Sequence, residues 1–271
     1  MTIGVIGQGY VGTAIKLGFE PHYNVLTYDK FDLAKSTHPK ISDLVSETNI
    51  IFVCVPTPMR KDGTCYTGIV EEVIREINET ATDHIVVIKS TIPPGTTDRI
   101  NQEYTHSTVI FNPEFLTEEN FLEDFKNQKR IILGGDRKGT NKLRQIYSKV
   151  FPHATIVKTG SNTAEMVKYF TNNFLATKVS FANEMNYVCE QIGIDYDKVV
   201  EYAIYDERLG KSHWAVPGPD GDFGYGGHCL PKDLSAIVNQ FETYGLLEAV
   251  ENVNDQVREN RDWEHMVGRA V

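Results

Sequence analysis

Short apolar runs ending in turn residues alternate with amphipathic stretches through the first 160 or so residues. Ile3 to Ile6 reads as a buried strand, and Tyr10 to Phe19 has helical spacing. "NVLTYD", ending at Asp29, is a second strand, and "NIIFVCV" (Asn49–Val55), stopped by "PTP", is a third. "GIVEEVIREI" has the period of an amphipathic helix. "HIVVIKST", stopped by "IPPG", then "TVIFNP" and "KRIILGG", continue the strands. A helical "GTNKLRQIYSKVF" and a strand-like "HATIVKT" close the series. Strands alternating with helices predict an α/β fold with a Rossmann-like, doubly wound parallel sheet over residues 1–160.

The pattern then changes. "NTAEMVKYFTNNFLATKVSFANEMNYVCEQIG" predicts one helix of roughly thirty residues, ended by Gly193 and far longer than the usual ~11–12. Phe170, Phe174, Phe181, Met185 and Val188 form its apolar stripe, which predicts a domain connector and a homodimer surface. A shorter helix is expected from Asp195 to Tyr205, then a Gly-, Pro- and Asp-rich loop over 210–227. "LLEAVENVNDQVRENRDWEHMVGRA" predicts a last helical stretch running to the end. Residues 161–271 are thus expected to form an all-α central domain joined through a long connecting helix.

A formal net charge of −10 argues against nucleic acid or anionic membrane as partner. It leaves room for anionic small ligands held by local backbone N–H groups. The four cysteines, Cys54, Cys65, Cys189 and Cys229, form no CxxC pair and predict reduced thiols in a cytoplasmic protein. The opening "MTIGVIG" has no basic region or cleavage site of a signal peptide. No apolar run reaches the ~20 residues that span a bilayer.

Gly7, Gly9 and Gly12 form a GxGxxG between the first strand and the first helix, with Tyr10 and Val11 inside the turn. Asp29 follows the third glycine by 17 residues, close to the ~20 expected of the acid that accepts ribose hydroxyls. A carboxylate there favours NAD; Lys30 beside it leaves some room for NADP. A tight strand–helix turn without ligand is the plainer reading. Val55, Pro56 and Thr57, and further on Thr91, fall where strands end. They line a ligand cleft or merely terminate strands and cap turns. Glu114 and Glu118 follow the fifth strand as solvated loop acids or as acid/base groups. Lys168 and Asn172, four apart, share a helix face off the phenylalanine stripe.

Cys229 stands in "GYGGHCLPKD", after Gly226, Gly227 and His228 and before Lys232 and Asp233. Free cysteines are most often inert core residues. Beside a fixed cation, however, a thiol ionises and can trap an aldehyde, which turns a two-electron oxidation into a four-electron one. A zinc site from His228, Cys229 and His213 matches no zinc spacing, so no metal is expected.

GxGxxG, "VPTP", "KSTIPPGTT", "NPEFLTE", "EMVKYFTNNFLATKVSFANE", "DERLG" and "GYGGHCLPKD", in this order, resemble the UDP-glucose 6-dehydrogenase family, within the UDP-glucose/GDP-mannose dehydrogenases. The resemblance runs from residue 2 to about residue 258. It implies that two NAD oxidise the C6 alcohol of a nucleotide sugar to a uronic acid. Cys229 resembles the nucleophile, Lys168 the oxyanion-stabilising lysine with Asn172 beside it, and Asp233 the acid that positions water. Glu118 resembles a glutamate assisting proton transfer and Thr91 a water-holding threonine. Glu114, Phe115 and Leu116, with Tyr225 and Gly226, resemble substrate-contacting residues. Lys232 resembles a lysine contacting cofactor or substrate, and Arg208 an arginine reaching a neighbouring subunit's sugar site.

Two features depart from the pattern. The UDP-glucose enzymes usually have Ser where His228 stands, and "GGHC" is more like the UDP-N-acetylmannosamine dehydrogenases, which usually lack "PKD". Family members commonly add a third domain that grips the uridine diphosphate. The expectation is a short form without it, its diphosphate held by residues 210–227 or by a partner chain. A simple two-electron hydroxyacid dehydrogenase and a cofactor-binding remnant are the rival readings.

Overall fold

In a computed structural model, residues 1–80 and 83–268 are described. The chain divides into two compact units. The first comprises Met1–Thr57 and Thr67–Lys168, the second Pro58–Tyr66 and Tyr169–Val271.

The first unit is built on seven strands: β1 (Thr2–Ile6), β2 (Asn24–Tyr28), β3 (Ile50–Val53), β4 (His84–Ile88), β5 (Ser107–Phe111), β6 (Arg130–Gly134) and β7 (Thr155–Thr159). Between them run α1 (Tyr10–Phe19), α2 (Ile41–Ser46), α3 (Gly68–Thr80), α4 (Thr96–Glu103), α5 (Phe121–Lys126) and α6 (Arg137–Val150). The strand order is β2-β1-β3-β4-β5-β6-β7. The inner strands are covered on both faces, and their successive side chains serve opposite layers. Ile51 and Val53 join one core with Leu44, Val70 and Ile74. Ile50 and Phe52 join the other with Ile15, Phe19, Leu143 and Tyr147.

Because β1 pairs with β2 on one side and β3 on the other, the winding reverses there. In open α/β sheets that switch point, at the carboxyl ends of the strands, is the ligand crevice. The sheet is not parallel throughout. β5 meets β6 antiparallel at one pair, Phe111↔Gly134, while β6 and β7 run parallel to each other. The reversal has a local cause: residues 112–129 contain only the six-residue α5 and no full crossover helix, so the chain re-enters the sheet from the end where it left.

α7 (Ser161–Ile192) matches the expected long helix, and Gly193 follows it at φ +72°. It begins in the first unit and ends in the second. The second unit also contains α8 (Tyr196–Ala203), α9 (Leu230–Gln240) and α10 (Leu246–Val257), and its small cores centre on Ala176, Tyr225, Leu234 and Val250 and on Ala182, Cys189 and Tyr196. On α7, Phe170, Phe174 and Phe181 are 71%, 58% and 53% exposed.

One helix was not expected and one expectation needs correction. The residues after Cys229, given no element from the sequence, form α9, whose first turn hides Pro231, Lys232 and Asp233. The last helix stops at Val257, where Arg258, buried, turns to Asp220, Asp222 and Asp262; a single 3-10 turn (Asp262–His265) follows. The part of the expected helix at residues 269–270 lies outside the described residues. Among the described residues no helix is long and apolar enough to cross a membrane.

Candidate active site

The glycine turn opens the first unit's crevice. Gly7 sits at φ +90°, and a Cβ there would lie 2.5 Å from the Cys54 carbonyl oxygen. A Cβ on Gly12 would lie 1.8 Å from the Gly7 oxygen, so α1 packs against the turn only because both positions are bare. A Cβ on Gly9 would meet nothing within 4 Å: the turn is open just there, and no side chain caps α1. Uncapped N–H groups and open space fit the pyrophosphate of a dinucleotide. Asp29 stands at the end of β2, where its Oδ2 accepts from Gln8 N at 2.7 Å and its Oδ1 from Phe31 N and Asp32 N at 2.9 Å. Its carboxylate is therefore fixed beside the turn, while Lys30 is exposed. Tyr10, partly exposed, packs its ring against Phe121.

Next along the sheet, the turns after β3 and β4 are tied by Ser90 Oγ, which donates to Val55 O at 2.6 Å. Thr57 and Thr91 are buried; Val55 and Pro56 are half-buried. Beyond β5, Lys168 Nζ donates to Glu114 Oε1 at 2.8 Å and to Glu114 O at 2.9 Å. Leu116 N donates to Glu114 Oε2 at 2.6 Å. Burial pushes the Glu114 carboxyl up, but Lys168, the Leu116 N–H and Lys89 outweigh it and hold the acid below its ordinary range. The Phe115 ring has the Arg130 guanidinium over it at 4.2 Å and Lys168 Nζ at 5.6 Å. Glu118 lies further along the loop and is exposed.

Three residues here were missed in the sequence. Lys89, buried at the end of β4, donates to Asn112 Oδ1 at 3.0 Å and Pro113 O at 3.4 Å. Asn112 in turn accepts from the Tyr147 hydroxyl. Glu165, wholly buried on α7, accepts from Gly95 N, Thr97 N and Thr97 Oγ1 and so caps α4. A charged side chain directly after the apolar run Ile85–Ile88 was the available signal for Lys89.

In the second unit, Cys229 is the residue that leads into α9, half-buried, with Pro231 in the first turn. Lys232 and Asp233 pair with each other there, and Asn172 Nδ2 donates to Asp233 Oδ2 at 2.6 Å. Burial pulls the Lys232 ammonium down, yet Asp233, then Cys229 and Cys65, outweigh it and keep its pKa raised. Thus a thiol, a charged lysine, a carboxylate and an amide sit at one helix start. Gly224 N donates to Asn183 Oδ1, Tyr225 N to Asn254 Oδ1 and Gly227 N to Asp262, which pins the loop before the thiol. Tyr225 is buried in the core, and a Cβ on Gly226 would strike the Arg258 guanidinium at 2.2 Å. Arg208 stands apart from this cluster on an exposed 3-10 turn, paired with Asp206.

A winding-reversal crevice with an uncapped glycine turn is the mark of a dinucleotide-binding α/β protein, and the second unit adds a thiol beside a buried charge pair. The comparisons narrow the class. Residues 30–151 match the NAD binding domain, and residues 162–256 the central domain, of the UDP-glucose/GDP-mannose dehydrogenase family. The UDP-glucose 6-dehydrogenase AglM of Haloferax volcanii is 31% identical, over 94% of this chain and 70% of that protein. A UDP-glucose dehydrogenase of Pyrobaculum islandicum superposes at a TM-score of 0.85 with 30% identity, over 94% of this chain and 68% of that one. A UDP-D-ManNAc dehydrogenase of Pyrococcus horikoshii gives 0.81 at 26% identity, over the same shares. The chain belongs to the UDP-glucose/GDP-mannose dehydrogenase family. It spans 50% to 70% of the length of the first curated relatives it matches.

Proposed function

We propose that this chain oxidises the C6 hydroxymethyl of a UDP-sugar, UDP-glucose first among them, to the uronic acid in two steps, with Cys229 holding the half-oxidised sugar. The observation that carries this reading is the cluster at the start of α9, where the Cys229 thiol neighbours a buried, protonated Lys232 that is itself held by Asp233. NAD, when bound, accepts one hydride in each oxidation. The sulfur adds to the C6 aldehyde carbon, and the carbonyl oxygen becomes a hydroxyl: a thiohemiacetal. Loss of the C6 hydride and the hydroxyl proton leaves a thioester. Water adds to its carbon, sulfur leaves, and the acid is released with the thiol restored.

Lys168 is given the task of stabilising the developing oxyanions, and its double attachment to Glu114 fixes the ammonium for it. Asn172 and Asp233 orient each other, which suits Asp233 for positioning water. Asp29, Gly9 and the α1 N-terminus hold the cofactor. Thr91 and Glu118 are assigned to water and proton transfer, Arg208 and the exposed phenylalanines of α7 to a second copy of the chain. His228 supports a second reading, a UDP-N-acetylmannosamine-type substrate.

The test is stoichiometric. With NAD and a panel of UDP-sugars, two NADH form per uronate, and Cys229→Ser stops before the acid is released. One NADH per turnover with an aldehyde or ketone as final product, or acid formation undiminished in Cys229→Ser, would defeat the proposal. The sugar giving the highest kcat/KM decides between the two substrate readings.

A further inference from the structure

We propose that Lys89 is a positioning residue of this site, a second buried cation that clamps the turn bearing Glu114 and so sets the charge and placement of the Lys168 ammonium. The inference rests on the oxyanion role given to Lys168 above. Its basis is a continuous set of contacts in the first unit. Lys89, 5% exposed, donates to the Asn112 side chain and to the Pro113 carbonyl, the two residues immediately before Glu114. Asn112 is fixed from two further directions: it accepts from the Tyr147 hydroxyl and donates to Ile132 O at 2.8 Å. Glu114 then holds Lys168 through both its carboxylate and its carbonyl. The clamp runs from β4 through the end of β5 to α7 without a gap.

A lysine is an unusual choice for such a clamp. It meets its neighbours through a carbonyl and an amide oxygen, while the carboxylate of Glu114 is directed to Lys168. A neutral donor would hold the same turn, so the charge needs its own reason. The ionisable groups in electrostatic reach of Lys89 are Cys54, Glu114 and Lys168. With both lysines protonated and Glu114 ionised, the three charges leave one net positive charge in a dry region. Such a field favours an oxyanion at Lys168. It also has a limit: burial, only partly offset by Cys54 and Glu114, brings Lys89 down to about 8. Above that pH the turn keeps its shape, but the second charge is lost. Lys168, relieved of a like charge, then binds its proton more tightly.

Lysine labelled with 13C at Cε reads this directly, with the Lys89 and Lys168 signals identified by their loss in Lys89→Met and Lys168→Met. The Lys89 signal is expected to titrate near 8. The wild-type Lys168 signal should show an extra inflection at the same pH, and in Lys89→Met its midpoint should move upward. With UDP-sugar and NAD, Lys89→Met should lower kcat on the order of 10- to 100-fold with KM changed far less. Lys89→Arg, charged throughout, should keep activity and lose the alkaline fall near 8. A wild-type Lys168 titration with a single phase and no inflection near 8 overturns the proposal even where a variant fails to fold. So does an alkaline fall that persists in Lys89→Arg. If no UDP-sugar reduces NAD, the functional reading fails, and the resonance titration still decides whether Lys89 governs Lys168.

Discussion

Replacing Asp233 by Asn tests the cluster at the start of α9. Asp233 is an acceptor twice over: Lys232 Nζ meets Oδ1, and Asn172 Nδ2 meets Oδ2 at 2.6 Å. An amide has one acceptor oxygen, so in Asp233→Asn one of those donors must face an NH2 group. The side chains of Lys232 and Asp233 are 9% and 1% exposed, so the stranded lysine stays buried. Removing one partner of a buried pair costs about 3–5 kcal/mol. At about 2–4 °C per kcal/mol for a chain of this size, the Tm should drop by roughly 6–20 °C. Lys232→Met in the same chain removes the stranded charge and lets the introduced amide oxygen accept from Asn172 alone. The double variant should therefore be more stable than the two single losses add up to, by about 0.5–3 kcal/mol. The pH dependence has a definite sign. Lys232 has a pKa raised on folding, so its contribution is whole below the unfolded value of about 10.4 and is lost only as pH rises through the folded one. From about pH 6 to 9 the wild-type contribution should be flat, whereas in Asp233→Asn burial acts on Lys232 without its partner and pulls its pKa down, so the deficit should shrink as pH rises. Thermal unfolding by circular dichroism suffices. An unchanged Tm, or strict additivity in the double variant, would refute the idea that this pair is held together inside the unit.

The glycine turn separates two causes of failure. Gly12→Ala, with a carbonyl oxygen 1.8 Å from the new Cβ, should lower the Tm as well as NAD binding, whereas Gly9→Ala, with open space at that position, should leave the Tm unchanged and weaken only NAD, as read by quenching of protein fluorescence. Glu165→Ala leaves Gly95 N, Thr97 N and the Thr97 hydroxyl without their acceptor and should cost about 1–2 kcal/mol, seen as a lower urea midpoint with an unchanged m-value. If the exposed phenylalanines of α7 meet a second copy, Phe170→Glu with Phe174→Glu should yield a monomer by sedimentation velocity where the wild type is a dimer.

What could be read in advance was whatever repeats or punctuates. The apolar-rich strands, the period of α7 and the glycine stop at 193 each follow from a local rule, and each was found in its place. The place of Asp29 at the end of β2 was legible because its spacing from Gly12 is set by one helix and one strand. The reversed β6 was not, because a strand's residues carry no mark of its direction; that is decided by the connection before it.

α9 escaped for a deeper reason. Its first turn is Pro231, Lys232 and Asp233, which by composition belongs on a wet surface. The charges are buried because they neutralise each other and because Asn172, from a helix some sixty residues earlier, satisfies the remaining carboxylate oxygen. Arg258 ended the last helix early in the same way, by turning its guanidinium to three aspartates spread over Asp220 to Asp262. Hydrophobic periodicity treats every charge as solvent-facing, so it fails where charges partner one another inside. Lys89, Lys168, Lys232 and Arg258 are all buried and matched by acceptors, Lys232 by its neighbour Asp233 and the other three by groups from distant parts of the chain. A buried charge is tolerated only when its neighbours are fixed, and fixed neighbours are also what a site needs in order to act on a bound ligand. The positions at which a pattern-based reading of this chain fails are therefore the ones to mutate first.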